Sequence, residues 1–459
     1  MSSSDIICAI STAFGRGAIA VIRVSGKGCI SAIAHLFDKK TEWVELEANR
    51  AKFISIYEGE KLIDQVVVTK FLAPHSYCGE DMLEISCHGS VYVQQKIIEL
   101  LLQAGCRLAN PGEFTMRAFL NGKMDLPQAE AIADLIDSQT EVAHRIAVNQ
   151  MKGSFTSRLH TLRTQLIDLA SLLELELDFS EEDVQFADRT QLRRIVEAIK
   201  TEVAFLLDSF KWGNVLKDGI PVAIIGKPNV GKSTLLNCLV EDDRAIISHI
   251  PGTTRDTIED TFILKGYPFR FIDTAGLRAT DDEIENFGIE RTYKAVDKAS
   301  VILYLIDISE TNIEEVETEL HLLEENIQIA NKKVMIIANK IDQLSEMPHS
   351  FGRWNDLDIY YISAKRKVNI ETICTSLLEF VQARPVTDGV LLTNTRHYDV
   401  MLQLQKEIAS VEDSFAHQTS SEIIASQIRQ ALYHIGTITG EIATDEILNN
   451  IFGKFCIGK

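Results

Sequence analysis

The sequence predicts a multidomain chain of mixed α/β and α class: an N-terminal α+β domain, a central helical domain in two separated pieces, and an inserted α/β domain with a mostly parallel sheet. Three observations predict it. β-type runs around one amphipathic helix fill residues 1–124, apolar stripes at helical spacing occupy residues 125–217 and 386–459, and strand-like runs alternate with helical stretches over residues 218–385. With 459 residues there is room for roughly three domains.

In the first segment AIAVIRVSG, AKFISIYEG, QVVVTKFLA and DMLEISCHG read as strands, and residues 93–102 as the helix. From Pro127 the texture changes. Leu159, Leu162, Leu166, Leu169 and Leu173 recur three and four residues apart, as do Leu192, Ile195, Ile199 and Val203, so each set lies on one helix face and serves packing. In the third segment IPVAIIG, FRFIDTAG, VILYLIDI, KVMIIANK and IYYISAK alternate with helical stretches, the pattern of βαβ units. After Pro385 the chain is helical again, with Met401, Leu404, Ile408 and Val411 on one face. No internal repeat or low-complexity tract interrupts this order.

Composition narrows the function classes. With 46% hydrophobic and 24% charged residues the chain falls in the ordinary globular class. No apolar run approaches the ~18 residues of a membrane span, and the start MSSSDIICAIS lacks the basic region of a secretion signal, so a cytoplasmic protein is expected. Cys8, Cys29, Cys78, Cys87, Cys106, Cys238, Cys374 and Cys456 form no C-x-x-C pair and read as reduced thiols. A net charge of −20 argues against gripping RNA over a broad surface; a local patch or a second protein must hold it.

GKPNVGKST, residues 226–234, follows the strand PVAII and leads into a helical run, matching the phosphate-loop pattern in its strand-to-helix context. Glycines let the backbone curl so that its N–H groups face phosphate, Lys232 neutralises the β- and γ-phosphates, and the Ser233 hydroxyl is placed for Mg²⁺. DTAG, with Asp273 for Mg²⁺ and Gly276 for the γ-phosphate, ends the next strand. NKID places Asp342 to accept the guanine N1–H and 2-amino groups, a pair that adenine lacks. SAK, from Ser363 to Lys365, fits a last base-contacting loop. Four motifs in order, each at a strand end, predict a Ras-like P-loop GTPase domain. The residue after DTAG, where a glutamine orients water in Ras-like enzymes, is Leu277, so both the water-positioning group and the catalytic charge must come from elsewhere, with Arg255, Arg278 or a bound cation as candidates for the charge. For either arginine a surface position or structural ion pair is the competing reading.

PNVGKST, GTTRD, DTAGLR, NKID and the terminal FCIGK, with GRGAIAVIRVSG, HSYCGEDMLEISCHG and NPGEFTMRAFLNGKMDLPQAEAIADLI, resemble the MnmE (TrmE) family of tRNA-modifying GTPases from first residue to last. The resemblance implies an N-terminal folate-binding domain, a helical domain and an inserted G domain. It further implies a homodimer joined through the N-terminal domains, and an FAD-dependent MnmG-type partner in a heterotetramer or larger. The activity implied is GTP-driven installation of an aminomethyl-type group on C5 of the tRNA wobble uridine, with a one-carbon unit from 5-formyl- or 5,10-methylene-tetrahydrofolate.

By the same resemblance the nucleotide contacts are Asn229, Val230, Gly231, Lys232, Ser233 and Thr234; Ser248, His249, Ile250, Pro251, Gly252, Thr253 and Thr254; Asp273, Thr274, Ala275 and Gly276; and Asn339, Lys340, Asp342, Ser363, Ala364 and Lys365. K⁺ replaces an arginine finger on oxygens of Asn229, Ser248, Ile250 and Thr253, and Thr254 joins Ser233 on Mg²⁺. Ser248 stands where the family has Thr, which keeps the hydroxyl. The water-orienting acid maps to Glu285, with Asp281, Asp282 and Glu283 as neighbours in the same acidic loop. Folate contacts map to Arg23, Glu84, Lys123 and Lys459. A carboxylate suits pterin N–H groups, and cations suit a glutamate tail.

A ribosome-assembly GTPase would also carry GTTRD and DTAG, but usually with an RNA-binding module, and neither flank here is basic or shows a GXXG clamp. A folate-sensing switch protein is the other alternative. The tail FCIGK imitates a prenylation box, yet Lys459 is a poor final residue for one. The family layout brings the tail beside the N-terminal domain, making Cys456 either a catalytic thiol near the one-carbon unit or a packing residue.

Overall fold

The computed structural model describes residues 5–38, 44–45, 47–178, 189–240, 245–247, 261–272, 294–310, 318, 332–346, 351–354, 357–383, 391–417 and 419–458. Among them the helices are α1 (Cys29–Ile33), α2 (Val91–Gln103), α3 (Glu113–Leu120), α4 (Leu126–Asp137), α5 (Glu141–Met151), α6 (Ser154–Asp178), α7 (Arg189–Asp218), α8 (Lys232–Val240), α9 (Ile370–Gln382), α10 (Thr395–Ala416), α11 (Ser421–Thr439) and α12 (Asp445–Phe452). None of these is long and apolar enough to cross a membrane. The chain divides into two compact units, Met1–Ala133 with Gln150–Ile199 and Lys406–Lys459, and Asp134–Asn149 with Lys200–Gln405.

The first unit holds a sheet of β1 (Ile7–Ile10), β2 (Ile19–Ser25), β3 (Ala51–Glu58), β4 (Lys61–Phe71), β5 (Met82–His88) and β6 (Arg107–Leu108), in the spatial order β3-β4-β5-β2-β1-β6. Neighbours are antiparallel except β1 and β6. Alternation along the strands sends Ile22, Val24, Ile54, Val68 and Ile85 to one face, where Ile97, Leu100 and Leu101 of α2 close the main core. The other face carries Arg23 and Glu84 beside a smaller cluster containing Ile7, Ala9, Met82 and Phe114. Leu159, Leu162, Leu166, Leu169 and Leu173 of α6 are all buried, and α6 packs along α11, which contributes Ile424, Ile428 and Ile435. That stripe behaves as its spacing predicts. On α7, Leu192, Ile199 and Val203 are buried, with Val196 completing the stripe and Ile195 only half-buried.

The second unit is built on β7 (Ile220–Ile225), β8 (Ala245–Ile247), β9 (Thr261–Leu264), β10 (Tyr267–Phe271), β11 (Val301–Asp307), β12 (Lys333–Asn339), β13 (Phe351–Trp354) and β14 (Leu357–Tyr361), ordered β13-β14-β12-β11-β7-β10-β9-β8. The five central strands, β14 to β10, are mutually parallel and coincide with the five apolar runs read from the sequence. Every residue of β7 is buried, as a parallel strand covered on both faces requires. Val222 and Ile224 face one core cluster, Ala223 and Ile225 the other. The antiparallel margins β8, β9 and β13 are additions to the expected pattern. Leu264 pairs with Tyr267 across a two-residue turn in which Lys265 (φ 46°) and Gly266 (φ 83°) are both left-handed, the backbone that matches strand twist in a hairpin. Strands of three or four residues show too little alternation for a pattern search to find.

This order matters for the site. The C-terminal ends of β14, β12, β11 and β7 lie in a row, so the loops that follow them share one edge of the sheet, the place where open parallel sheets bind ligands.

Candidate functional site

At that edge β7 ends and the loop of residues 226–231 carries the chain into α8. Gly226 (φ 143°) has no room for a side chain, because a Cβ there would lie 2.2 Å from the Leu305 carbonyl oxygen. Gly231 (φ 100°) is as constrained, with Asn339 Nδ2 at 2.4 Å from the same position. Asn229 adopts φ 60°, so the loop turns through several left-handed or glycine-only conformations. Such a path turns successive N–H groups to one side, which makes an anion-binding concavity at a helix N-terminus. The Lys232 ammonium folds across this loop and donates to the carbonyls of Gly226 (2.7 Å) and Lys227 (2.8 Å). Burial pushes its pKa below the ordinary lysine value. A cation whose partners among the described residues are neutral carbonyls gains by exchanging one for a phosphate oxygen. Ser233 and Thr234 are exposed in the first turn of α8.

Asn339 joins three loops. Its Nδ2 donates to the Val230 carbonyl at 2.7 Å, and its Oδ1 accepts from the Ala364 N–H at 2.9 Å. The Cys238 thiol of α8 donates to the Ala364 carbonyl at 3.0 Å. The phosphate loop, the NKID segment and the SAK segment are therefore tied through one buried carboxamide. Beside it, Ser363 Oγ donates to Asp342 Oδ1 at 2.5 Å and accepts from the Arg366 N–H at 3.2 Å. That hydrogen bond holds the Asp342 carboxyl below the ordinary aspartate range, with the charges of Arg366 and Lys365 acting the same way. An ionised, oriented carboxylate is the acceptor that guanine N–H groups need. Lys340, left-handed at φ 68°, reaches Asp307 Oδ2 at 2.5 Å. Sequence reasoning passed over Asp307; its signal was an acid closing an otherwise apolar strand, VILYLID.

The structure thus brings Val230, Gly231, Lys232, Asn339, Lys340, Asp342, Ser363 and Ala364 to one sheet edge. Ser248, His249, Ile250, Pro251, Gly252, Thr253, Thr254 and Arg255 lie outside the described residues, as do Asp273, Thr274, Ala275, Gly276, Leu277, Arg278, Asp281, Asp282, Glu283 and Glu285.

A second cluster occupies the first unit. Arg23 and Glu84 face each other in the β2–β5 register, and Arg23 Nε donates to Glu84 Oε1 at 2.8 Å. The Arg23 guanidinium sits 5.1 Å from the centre of the Tyr77 ring, whose hydroxyl bonds Thr115 Oγ1 at 2.8 Å. Lys123 Nζ donates to the Pro74 carbonyl at 2.9 Å from an exposed position. The chain's tail reaches the end of β1. Ser11 Oγ donates to the Gly458 carbonyl (3.0 Å), and the Gly112 N–H to the Cys456 carbonyl (3.4 Å). Gly458 needs its φ of 95° there, and a Cβ on it would lie 2.2 Å from the Ile10 carbonyl. Cys456 is exposed, whereas the other seven cysteines are buried. Lys459 lies outside the described residues.

Residues 6–123 match a family model described as the GTP-binding protein TrmE N-terminus, and residues 126–456 one described as the MnmE helical domain. Proteins named tRNA modification GTPase MnmE align along the whole chain. That of Flavobacterium psychrophilum is 47% identical over 458 residues, covering 99% of each chain. Those of Flavobacterium johnsoniae and Christiangramia forsetii are 47% and 45% identical over 470 and 476 residues, covering 100% of each chain.

Proposed function

The chain belongs to the MnmE family of tRNA modification GTPases and is a GTP hydrolase of tRNA modification, and from that membership we propose a K⁺-dependent GTPase that works with an FAD-dependent MnmG-type partner. Together they modify C5 of the wobble uridine with a folate one-carbon unit. In this reading Lys232 and the N–H groups of residues 229–234 bind the β- and γ-phosphates, while Asp342, steadied by Ser363, accepts the guanine N1–H and amino group. Asn339 keeps the phosphate end and the base end in register.

The donor set fits hard cations. Asn229 is an exposed oxygen donor in the loop, and Ser233 an exposed hydroxyl at the start of α8. Asn229, Ser248, Ile250 and Thr253 would hold K⁺, which would supply there the positive charge that an arginine finger gives other GTPases. Ser233 and Thr254 would hold Mg²⁺, and Glu285 would orient the attacking water. In the N-terminal domain the half-exposed Glu84 carboxylate and the flat surface of Arg23 over Tyr77 suit a planar heterocycle with N–H donors; Lys123 and Lys459 suit the glutamate tail of a tetrahydrofolate. The Cys456 thiol, exposed at the tail, would serve beside it. We further assign residues 1–124 to folate binding and homodimerisation, 125–217 and 386–459 to the helical domain, and 218–385 to the G domain, in a cytoplasmic protein.

The observation that carries the nucleotide reading is the Asp342 carboxyl held by Ser363 Oγ on the loop system that Asn339 ties together. GTP turnover in K⁺ should exceed that in Na⁺ at equal ionic strength, and Asn229→Ala should erase the difference. Equal turnover in both salts overturns K⁺ dependence. Mass spectrometry of tRNA wobble uridines from a deletion strain tests the rest, where intact modification overturns the assignment.

A further inference from the structure

Asp307 closes β11 between the strand that leads to the phosphate loop and the strand that leads to NKID. In the β11–β12 register it stands opposite Asn339, and the Ile308 N–H donates to the Asn339 carbonyl at 3.2 Å. It is 4% exposed. Its Oδ1 accepts from Ser309 Oγ (2.6 Å) and the Ser309 N–H (3.1 Å), which leaves Oδ2 for Lys340 Nζ at 2.5 Å. Ser309 Oγ also reaches Gln343 Oε1 at 3.3 Å. Burial opposes ionisation of Asp307, but the Lys340 ammonium and the Ser309 hydrogen bonds prevail and hold its carboxyl below the ordinary range.

With Asp307 buried and Lys340 partly exposed, the pair is weak as a stabilising device, because desolvating the carboxylate consumes much of the attraction. It does something more specific. Lysine is a point charge on a flexible four-carbon stem, and fixing that stem costs rotamer entropy. A carboxylate that is itself fixed by two hydrogen bonds removes the freedom before ligand arrives, and preorganisation of that kind appears as affinity.

We propose that Asp307 is a positioning residue for nucleotide binding: through Lys340 it presets the base end of the site, which adjoins Asp342 two residues on. This rests on the reading of Lys340 as a nucleotide contact. The step from observation to inference is the two-point anchoring of Asp307, which a plain surface ion pair would lack.

The test is a double-variant cycle on the full chain, read as the Kd of a fluorescent GDP and as separate KM and kcat for GTP. Asp307→Asn should raise Kd and KM about tenfold, the effect of losing a hydrogen bond to a charged group, and leave kcat at saturating GTP unchanged. Asp307→Glu should recover part of the loss. Lys340→Ala should weaken binding as much, and the double variant no further. Ser309→Ala, at an exposed position, should cost roughly two- to threefold and guards against a misfolded Asp307 variant. Wild-type affinity in Asp307→Asn beside a weakened Lys340→Ala overturns the proposal alone, as do additive losses or, where Asp307→Asn fails to fold, wild-type affinity in Ser309→Ala. Wild-type affinity in Lys340→Ala overturns the reading of Lys340 and the proposal with it.

Discussion

Replacing Asn339 with alanine removes a side chain that bonds the phosphate loop to the base-side loop of SAK. The residue is 3% exposed, and both ends of its carboxamide are used: Nδ2 on the Val230 carbonyl at 2.7 Å and Oδ1 on the Ala364 N–H at 2.9 Å. In Asn339→Ala two backbone groups lose their partner in a buried place, at about 1–3 kcal/mol each. Water entering the space of the lost carboxamide recovers part of this, so we expect about 3 kcal/mol, seen jointly as a lowered unfolding midpoint and weaker GDP binding. Asn339→Asp keeps the shape and the acceptor for Ala364 but sets a carboxylate oxygen against the Val230 carbonyl. It should be at least as damaging as alanine, which separates hydrogen bonding from side-chain volume. The assay is a thermal melt of the full chain with a fluorescent-GDP titration. An alanine variant with the wild-type midpoint and wild-type GDP affinity refutes the idea that one carboxamide holds these loops together.

Three further outcomes are expected. Because the Asp342 carboxyl lies below its ordinary value of 3.8, base recognition should be insensitive to pH from neutrality down to about 4; a loss of GDP affinity centred above pH 5 in wild type, absent in Asp342→Asn, contradicts this. Glu113 is 2% exposed and bonded by Arg107 at 2.7 Å and Arg117 at 3.0 Å; burial opposes its ionisation, but the two arginines hold its carboxyl below the usual 4.5. A lowered folded value means that this contribution is complete above pH 4.5 and fades as pH falls through the folded value. Acid unfolding of Glu113→Gln should therefore be flatter below pH 4.5 than that of wild type, with lower stability at pH 7. Gly458→Ala, whose Cβ would meet the Ile10 carbonyl at 2.2 Å, should displace the tail and, on the folate reading proposed above, weaken tetrahydrofolate binding measured by calorimetry while GTP turnover is unchanged; unaltered affinity would remove the tail from the proposed site.

Contiguous chemistry was legible before any coordinates. GKPNVGKST, NKID and SAK declare themselves because each packs its functional groups within a few residues, and the five central strands of the second unit are apolar enough to be read as such. The α6 stripe was equally plain, since a helix buries every third or fourth residue whatever its neighbours are. β9 and the turn that joins it to β10 escaped notice, because its four residues are held by that turn and a sheet margin rather than by their own pattern.

What the sequence determined by itself is the set of chemical parts: a phosphate loop, the carboxylate of NKID, and a tail that carries Cys456, Gly458 and Lys459. Tertiary structure alone decided how they are joined. Asn339 bonding Val230 across 109 positions, the Arg23 guanidinium over Tyr77, Asp307 reaching Lys340, and Gly458 against Ser11 across 447 positions all depend on which strand ends lie side by side. Strand order is set by the burial of whole faces, a collective free energy to which a motif of four residues contributes almost nothing. For that reason a local pattern names the reagents of this site, and only the packed sheets say which side chains hold them in place.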